Sequence, residues 1–318
     1  MKQVGWSKPE DIGMEKICKN GPTFVDKRIE EFLAHLAEKR YSPKTIQIYR
    51  LSLRNFAAHL AQQGVAEVSA ISTETIEKYR LRLLDRGFKM ISVDLYLRAL
   101  RRFFGFLASW QWVFANPMDG VELPRVERTL MPVPTEEQIR TLLAEPDVSR
   151  PKGIRDRAVL ETMYSTAIRI DETSRLRVQD ADLANGTLRV RGKGDRERVV
   201  PLGRTAQEWL QRYLTEVRSR WARDAEVEAL WLKAAGTPFE KPGLNVMIKN
   251  RAWRAGIEPV ITPHGIRRAC ATHMLQHGAN PVEIQMLLGH ASLDLLGQYL
   301  RLSISDIRAM HARSKLGQ

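Results

Sequence analysis

NGTLRVRGKGDRERVVPL, residues 185–202, decides how this chain folds. Asn185-Gly186 is a strong signal for a strand reversal, because Asn and Gly reach the left-handed backbone of tight turns at little cost. Gly192-Lys193-Gly194-Asp195 is a second reversal, dividing Thr187–Arg191 from Arg196–Leu202. Both segments are short, alternate polar with apolar residues and favour Val, which is how half-buried strands read. The period changes just after Asp180, so the stretch predicts a small three-stranded antiparallel sheet. Almost everything outside it has helical spacing.

Upstream, Phe24, Ile29, Phe32, Leu33 and Leu36 recur at helical intervals. Ser42-Pro43 offers an N-cap followed by proline at the first helical position. Ile46, Tyr49, Leu53, Phe56, Ala57 and Leu60 form the next apolar stripe, ending near Gly64. A third helix spans about Thr73–Arg86, with Gly87 as its stop, and a fourth about Ile91–Trp110. Residues 1–22 lack any period and read as a flexible leader, so a helical domain covers 23–115. Pro117, Gly120, Pro124, Pro132 and Pro134 mark 116–134 as an interdomain linker. Thr135-Glu136-Glu137-Gln138 has the capping-box pattern and opens a second domain, 135–318. Helices are expected there at about 154–165, 204–220, 245–255, 263–277, 281–288 and 292–301. The fold class is therefore mainly α with a small antiparallel β-sheet, in two domains.

The 318 residues carry 50 Lys plus Arg against 37 Asp plus Glu, a net +13. Residues 1–130 hold 21 basic and 15 acidic residues, which leaves 29 and 22 for the remainder. A surplus shared by both domains excludes a basic tail on a neutral protein and points to a polyanionic partner, nucleic acid before membrane. Two distant cysteines, Cys18 and Cys270, build neither a disulfide framework nor a CxxC zinc site, which fits a cytoplasmic protein. No apolar run of about 18 residues offers a membrane span.

Several polar residues of the second domain could carry chemistry. Arg169 and Glu172 are three apart and share one face if a helix starts there. His264 and Arg267 are likewise three apart, after Pro263. Lys193 sits at the tip of the second turn, His290 follows Gly289, and Tyr299 lies in an otherwise leucine-rich segment. His273 and His277 are four apart, but with no HExxH pattern or cysteine ligands the expectation is one packed and one solvated ring, not a metal site.

Taken together, Arg169 with Glu172, Gly192-Lys193-Gly194, His264-x-x-Arg267, Leu288-Gly289-His290 and Tyr299 have the order and spacing of one family. The chain resembles the tyrosine site-specific recombinases of the phage-integrase and Xer-like group. GKGDRERVVPL (192–202), HGIRRACATHML (264–275) and LLGHASLDLLGQY (287–299) match most strongly. SPKTIQIYRLSLRNFAAHL (42–60) looks like the family's helical core-binding domain. The resemblance implies that domain plus an α+β catalytic domain, closing as a C-shaped clamp on double-stranded DNA with specific recombination sites. It implies a tetramer on two paired sites, with or without a second recombinase, and neither metal nor ATP. Tyr299 would be the nucleophile forming a 3′-phosphotyrosyl bond. Arg169 and Arg267 would stabilise the phosphate, Lys193 would protonate the leaving 5′-oxygen, His264 would exchange the tyrosine proton, His290 would bond the phosphate, and Glu172 would orient the site. Lys44, Arg50 and Arg54 on the second helix and Arg98, Arg101 and Arg102 on the fourth are the candidate DNA contacts. The chain departs from the family pattern at Ala167, where Gly is usual, at Thr173, where Leu is usual, at Arg268, where His is common, and in Asp294-Leu295-Leu296-Gly297. The last departure tilts the biological role towards a mobile element over chromosome resolution. A non-catalytic DNA-binding protein of the same fold is the alternative from another class, and a type IB topoisomerase shares the chemistry.

Overall fold

The computed structural model describes residues 24–65, 67–124, 132–192, 197–224 and 226–289. The chain divides into two compact units, Met1–Leu130 and Met131–Gln318.

Four helices build the first unit: α1 (Phe24–Glu38), α2 (Pro43–Gln62), α3 (Thr73–Asp85) and α4 (Met90–Ser109). Their starts follow from local chemistry. The Ser42 hydroxyl accepts from the Thr45 N–H at 3.1 Å, satisfying one of the donors that a helix start leaves over, while Pro43 supplies the preset φ of the first position. Ser72 and Thr75 form a reciprocal capping box at α3. Gly64 and Gly87, beyond the ends of α2 and α3, take positive φ values of 70° and 78°. Helical spacing turns Phe56 of α2, Tyr79 of α3, and Leu97, Leu100, Phe103 and Phe104 of α4 to one centre. Phe32 of α1 meets Phe103 edge-on at 5.6 Å. Residues 117–120 form a turn, and Met118 within it and Val121 just after it are buried in this same core.

The second unit opens at Thr135, where both capping-box bonds form: Gln138 N–H to the Thr135 hydroxyl at 3.1 Å, and Thr135 N–H to Gln138 Oε1 at 2.9 Å. Helices α5 (Glu136–Ala144), α6 (Pro151–Thr166) and α7 (Ile170–Arg175) precede the sheet. Helix α6 packs against α5, against α8 (Arg204–Arg212), against α11 (Pro263–Gln276) and against the last strand, so it is covered on every side. Its start is Pro151, three residues before the expected one, because Arg155, Asp156 and Glu161 are buried polar residues that blur the apolar period. They are paired, as burial demands. Asp156 accepts from Arg155 Nε at 2.8 Å and from Arg251 Nη2 at 2.6 Å.

Strands β1 (Ala181–Asp182), β2 (Thr187–Arg191) and β3 (Glu197–Pro201) form the antiparallel sheet in sequence order. Asp182 pairs with Thr187, so Asn185-Gly186 is the second half of a four-residue loop rather than a two-residue turn. Asp182 holds the loop by accepting from Asn185 N–H at 3.0 Å and Nδ2 at 2.7 Å, and Gly186 takes φ 62°. Leu188 opposes Val200 and Val190 opposes Arg198, all on the inward side. The predicted helix over 204–220 is α8, a π-helical stretch Tyr213–Arg218 and a last turn, α9 (Ser219–Trp221). Helices α10 (Lys241–Arg254), α11 and α12 (Pro281–Leu288) complete the described part. Among the described residues no helix is long and apolar enough to cross a membrane. The leader 1–22, the predicted helix at 292–301 and most of the second turn, Lys193 to Asp195, lie outside the described residues.

Candidate functional site

Helix α6 ends on Ala167, which takes the left-handed conformation (φ 51°, ψ 24°) and turns the chain sharply into α7. An alanine there bears roughly 1–2 kcal/mol that a glycine would not. The turn delivers Arg169 as the N-cap residue of α7 and Glu172 as its third residue. Glu172 is 5% exposed, so the pair is no surface ion pair. Its carboxylate accepts from the Arg169 N–H at 2.8 Å and from Arg169 Nη1 at 3.1 Å. Thr173 is also fully buried, and its hydroxyl donates to the Arg169 carbonyl at 3.0 Å. The threonine at the usual leucine position thus adds a bond that fixes the arginine backbone. The Arg169 side chain remains 42% exposed.

Helix α11 starts at Pro263, with the Thr262 hydroxyl accepting from the Gly265 N–H at 3.1 Å. Its first turns carry His264 and Arg267. Arg267 is 2% exposed, and its guanidinium donates to two backbone carbonyls, Ala167 and Leu288, each at 2.6 Å. One contact is the α6–α7 turn beside Arg169; the other is the last residue of α12. A cation is well placed there, since the last carbonyls of a helix lack partners and carry the negative end of its dipole. His264 keeps solvent access on one side. Burial on the other side, then the positive charges of Arg268, Arg267 and Arg169, hold its imidazole below the ordinary value of 6.5. Arg169, Arg267 and His264 are therefore brought to one place, and Arg268, an outlier against the family pattern, adds a cation to it.

One residue of this cluster escaped the sequence reading. Arg198 of β3 donates from Nη1 and Nη2 to the two oxygens of Glu172, each at 2.9 Å, and from Nε to the Leu287 carbonyl at 3.2 Å. Its signal is its phase. It lies two residues before Val200 on a strand whose inward positions are otherwise apolar, and an inward arginine needs an acidic partner. For Glu172, burial pushes the carboxyl up, but the Arg198 bonds, the Arg169 N–H and both positive charges outweigh it and hold it below its ordinary range.

Lys193, His290 and Tyr299 lie outside the described residues. Helix α12 ends at Leu288, and Gly289, the residue before His290 in the sequence, caps it at φ 61°. His273 is buried and bonds Tyr164 through Nδ1 at 2.9 Å, while the exposed His277 lies 3.4 Å from Glu136, the one packed and one solvated ring expected.

The six candidate DNA contacts of the first unit fall in three settings. Arg50 and Arg54, one turn apart on α2, both reach Glu30 of α1, at 3.5 and 3.2 Å. Arg98 is exposed and pairs with Asp94 at 2.8 Å, and Arg101 donates to the Val121 carbonyl at 2.7 Å. Arg102 donates to the Tyr41 hydroxyl at 2.5 Å, beside the start of α2, where Lys44 is exposed.

Comparison with known proteins follows the same division. A model of the phage integrase family matches residues 133–305, and one of the N-terminal SAM-like domain of phage integrases matches 29–111. Tyrosine recombinase XerD of Staphylococcus haemolyticus (strain JCSC1435) is 33% identical over 284 residues, spanning 89% of this chain and 96% of that protein. The XerD of Staphylococcus aureus (strain Mu50) is 31% identical over 284 residues, covering 89% and 96%. Among solved structures, a lambda integrase dimer bound to a COC′ core site aligns with a TM-score of 0.70 at 18% identity, over 86% of this chain and 76% of that one. The Tn1549 transposon integrase in complex with a circular intermediate DNA aligns with a TM-score of 0.67 at 19% identity, over 85% and 94%. At these identities the two structures show a shared fold.

Proposed function

Because this chain belongs to the phage integrase family and is a tyrosine recombinase acting in site-specific DNA recombination, we propose that Tyr299 is its nucleophile and that the cluster around Glu172 prepares the scissile phosphate for it. In the forward step the Tyr299 oxygen attacks phosphorus while the bond to the 5′-oxygen breaks. A 3′-phosphotyrosyl bond forms and a 5′-hydroxyl leaves. The covalent bond keeps the phosphodiester energy, so rejoining needs no nucleotide cofactor. His264 takes the phenol proton and Lys193 gives one to the 5′-oxygen. Arg169 and Arg267 stabilise the negative charge on the nonbridging oxygens in the transition state, and His290 bonds one of those oxygens. A preorganised cation works best where it need not move, and Arg267 is pinned at both ends of its guanidinium.

The observation that carries this reading is the convergence of Arg169, Arg267 and His264, where burial and the neighbouring arginines favour the neutral, proton-accepting imidazole. Its partner is DNA. A lambda integrase tetramer has been solved on a Holliday junction, and we extend that assembly to this chain: a tetramer on two paired specific sites, built from one recombinase or two, in the cytoplasm. Lys44, Arg50, Arg54, Arg98, Arg101 and Arg102 supply phosphate contacts from the first unit; Arg50 and Arg54 exchange Glu30 for phosphate on binding. The test is a suicide substrate nicked next to the cleavage position. A covalent protein–DNA adduct forms with the natural chain and is absent in Tyr299→Phe; an adduct retained by that variant overturns the assignment.

A further inference from the structure

Arg198 is the residue of the cluster that reaches furthest through the fold while having the least to offer a ligand. Its side chain is 17% exposed. Nε, Nη1 and Nη2 are all engaged, by Glu172 of α7 and by the Leu287 carbonyl near the end of α12. These partners stand 26 residues before it and 89 after it. One planar fork therefore ties together three elements: strand β3, which follows Lys193 in the chain; Glu172, which holds Arg169; and the end of α12, which precedes His290. The backbone of Gly289 packs close against it. A Cβ built on Gly289 would lie 3.1 Å from the Arg198 guanidinium, so this glycine is where the backbone passes directly over the fork.

We propose that Arg198 is a positioning residue of the recombination site, acting on the phosphate only through Glu172 and the end of α12. The proposal rests on the reading of Tyr299, Arg169 and His290 given above. The geometry excludes a simpler exchange with lysine. An ammonium can meet Glu172 as a point charge, but it lacks the planar fork that spans two carboxylate oxygens and a carbonyl on a third side. The charged groups facing Glu172 are Arg198 from β3 and Arg169 at the head of α7; Lys241 of α10 is engaged with the neighbouring Asp171 at 2.6 Å. Without Arg198, one cation remains against the burial that pushes the Glu172 carboxyl up.

The experiment uses the full chain with Arg198→Met and Arg198→Lys. It measures thermal midpoint, affinity for an intact site, and the single-turnover rate of adduct formation on the nicked substrate between pH 5 and 9. Loss of positioning on the scale of an ångström lowers the adduct rate by about 100-fold in Arg198→Met and by about 10-fold in Arg198→Lys, with DNA affinity within about 3-fold of the natural chain. The acid limb of the rate profile moves to higher pH in Arg198→Met as Glu172 becomes easier to protonate, and raising the pH recovers part of the rate. A rate that falls only in proportion to the folded fraction, with an unmoved acid limb, overturns the proposal, and so does an unchanged rate in both variants. If Arg198→Met fails to fold, Arg198→Lys decides alone: a natural rate and profile overturn the proposal. An adduct that survives Tyr299→Phe instead overturns the underlying reading and leaves these outcomes distinct from it.

Discussion

Glu172→Gln exchanges one carboxylate oxygen for an NH₂ group and tests the energetics of the whole cluster. In the natural chain the carboxylate accepts four bonds: from the Arg169 N–H, from Arg169 Nη1, and from Arg198 Nη1 and Nη2. Each Glu172 oxygen receives two of them. Glutamine has one acceptor oxygen, so two bonds survive, and its amide NH₂ faces two N–H donors. Lost bonds to buried charged groups cost roughly 1.5–3 kcal/mol each, or roughly 3–6 kcal/mol for two. Relief from burying a carboxylate offsets part of this, but Arg198 stays enclosed without a formal counter-charge, and removing one partner of a buried pair costs about 3–5 kcal/mol. We take about 3 kcal/mol as the outcome, the low end of both ranges, which for a unit of this size lowers the melting midpoint by about 6–12 °C. Circular dichroism melts of the full chain at pH 7 read the difference. The sign of its pH dependence is fixed. Glu172 has a folded-state pKa below its ordinary one, so its contribution is fully present above the ordinary carboxylate range and fades as pH falls through the folded value. The gap between natural chain and variant must therefore close in acid, where both side chains are neutral. A midpoint within about 2 °C of the natural one at pH 7, or a gap that persists at the lowest pH, refutes the assigned hub role.

Two further outcomes follow from the same cluster. Histidine-selective NMR should find His264 titrating below 6.5, and Arg268→His, which removes the first of its neighbouring cations, should move that titration back towards 6.5; a titration above 6.5 in the natural chain contradicts the packing described. Because this pKa is lowered on folding, His264 contributes stability that is complete above 6.5 and declines as pH falls below it. Ala167→Val should destabilise the second unit by about 2–4 kcal/mol in denaturant titration, since a β-branched side chain at a buried positive-φ site meets backbone strain and overpacking together.

How much of this was legible in the sequence depends on how local each cause is. The helices of the first unit were legible because α2 and α4 lie with one face in a core and one in solvent, so Phe56 and Leu60, or Phe103 and Leu107, recur at helical spacing. The same rule misplaces the start of α6, which is buried on all sides and carries Arg155 and Asp156 inside; no amphipathic period exists there to be read. The hairpin was legible in kind but not in loop length, since the grip of Asp182 on Asn185 adds two residues to the reversal. Arg198 marks the boundary most clearly. Period-two phasing with Val200 assigns its side chain to the inner face, and burial of a guanidinium then requires a carboxylate or carbonyls to meet it. Nothing near it in sequence serves, because Glu197 points outward and pairs with Arg191. Its partners arrive from α7 and α12, across distances in sequence that no local pattern encodes. A residue whose strand phase demands a partner, and whose neighbours supply none, is therefore evidence of a long-range contact even before that contact can be named. Here the contact joins the element behind Arg169 to the element in front of His290.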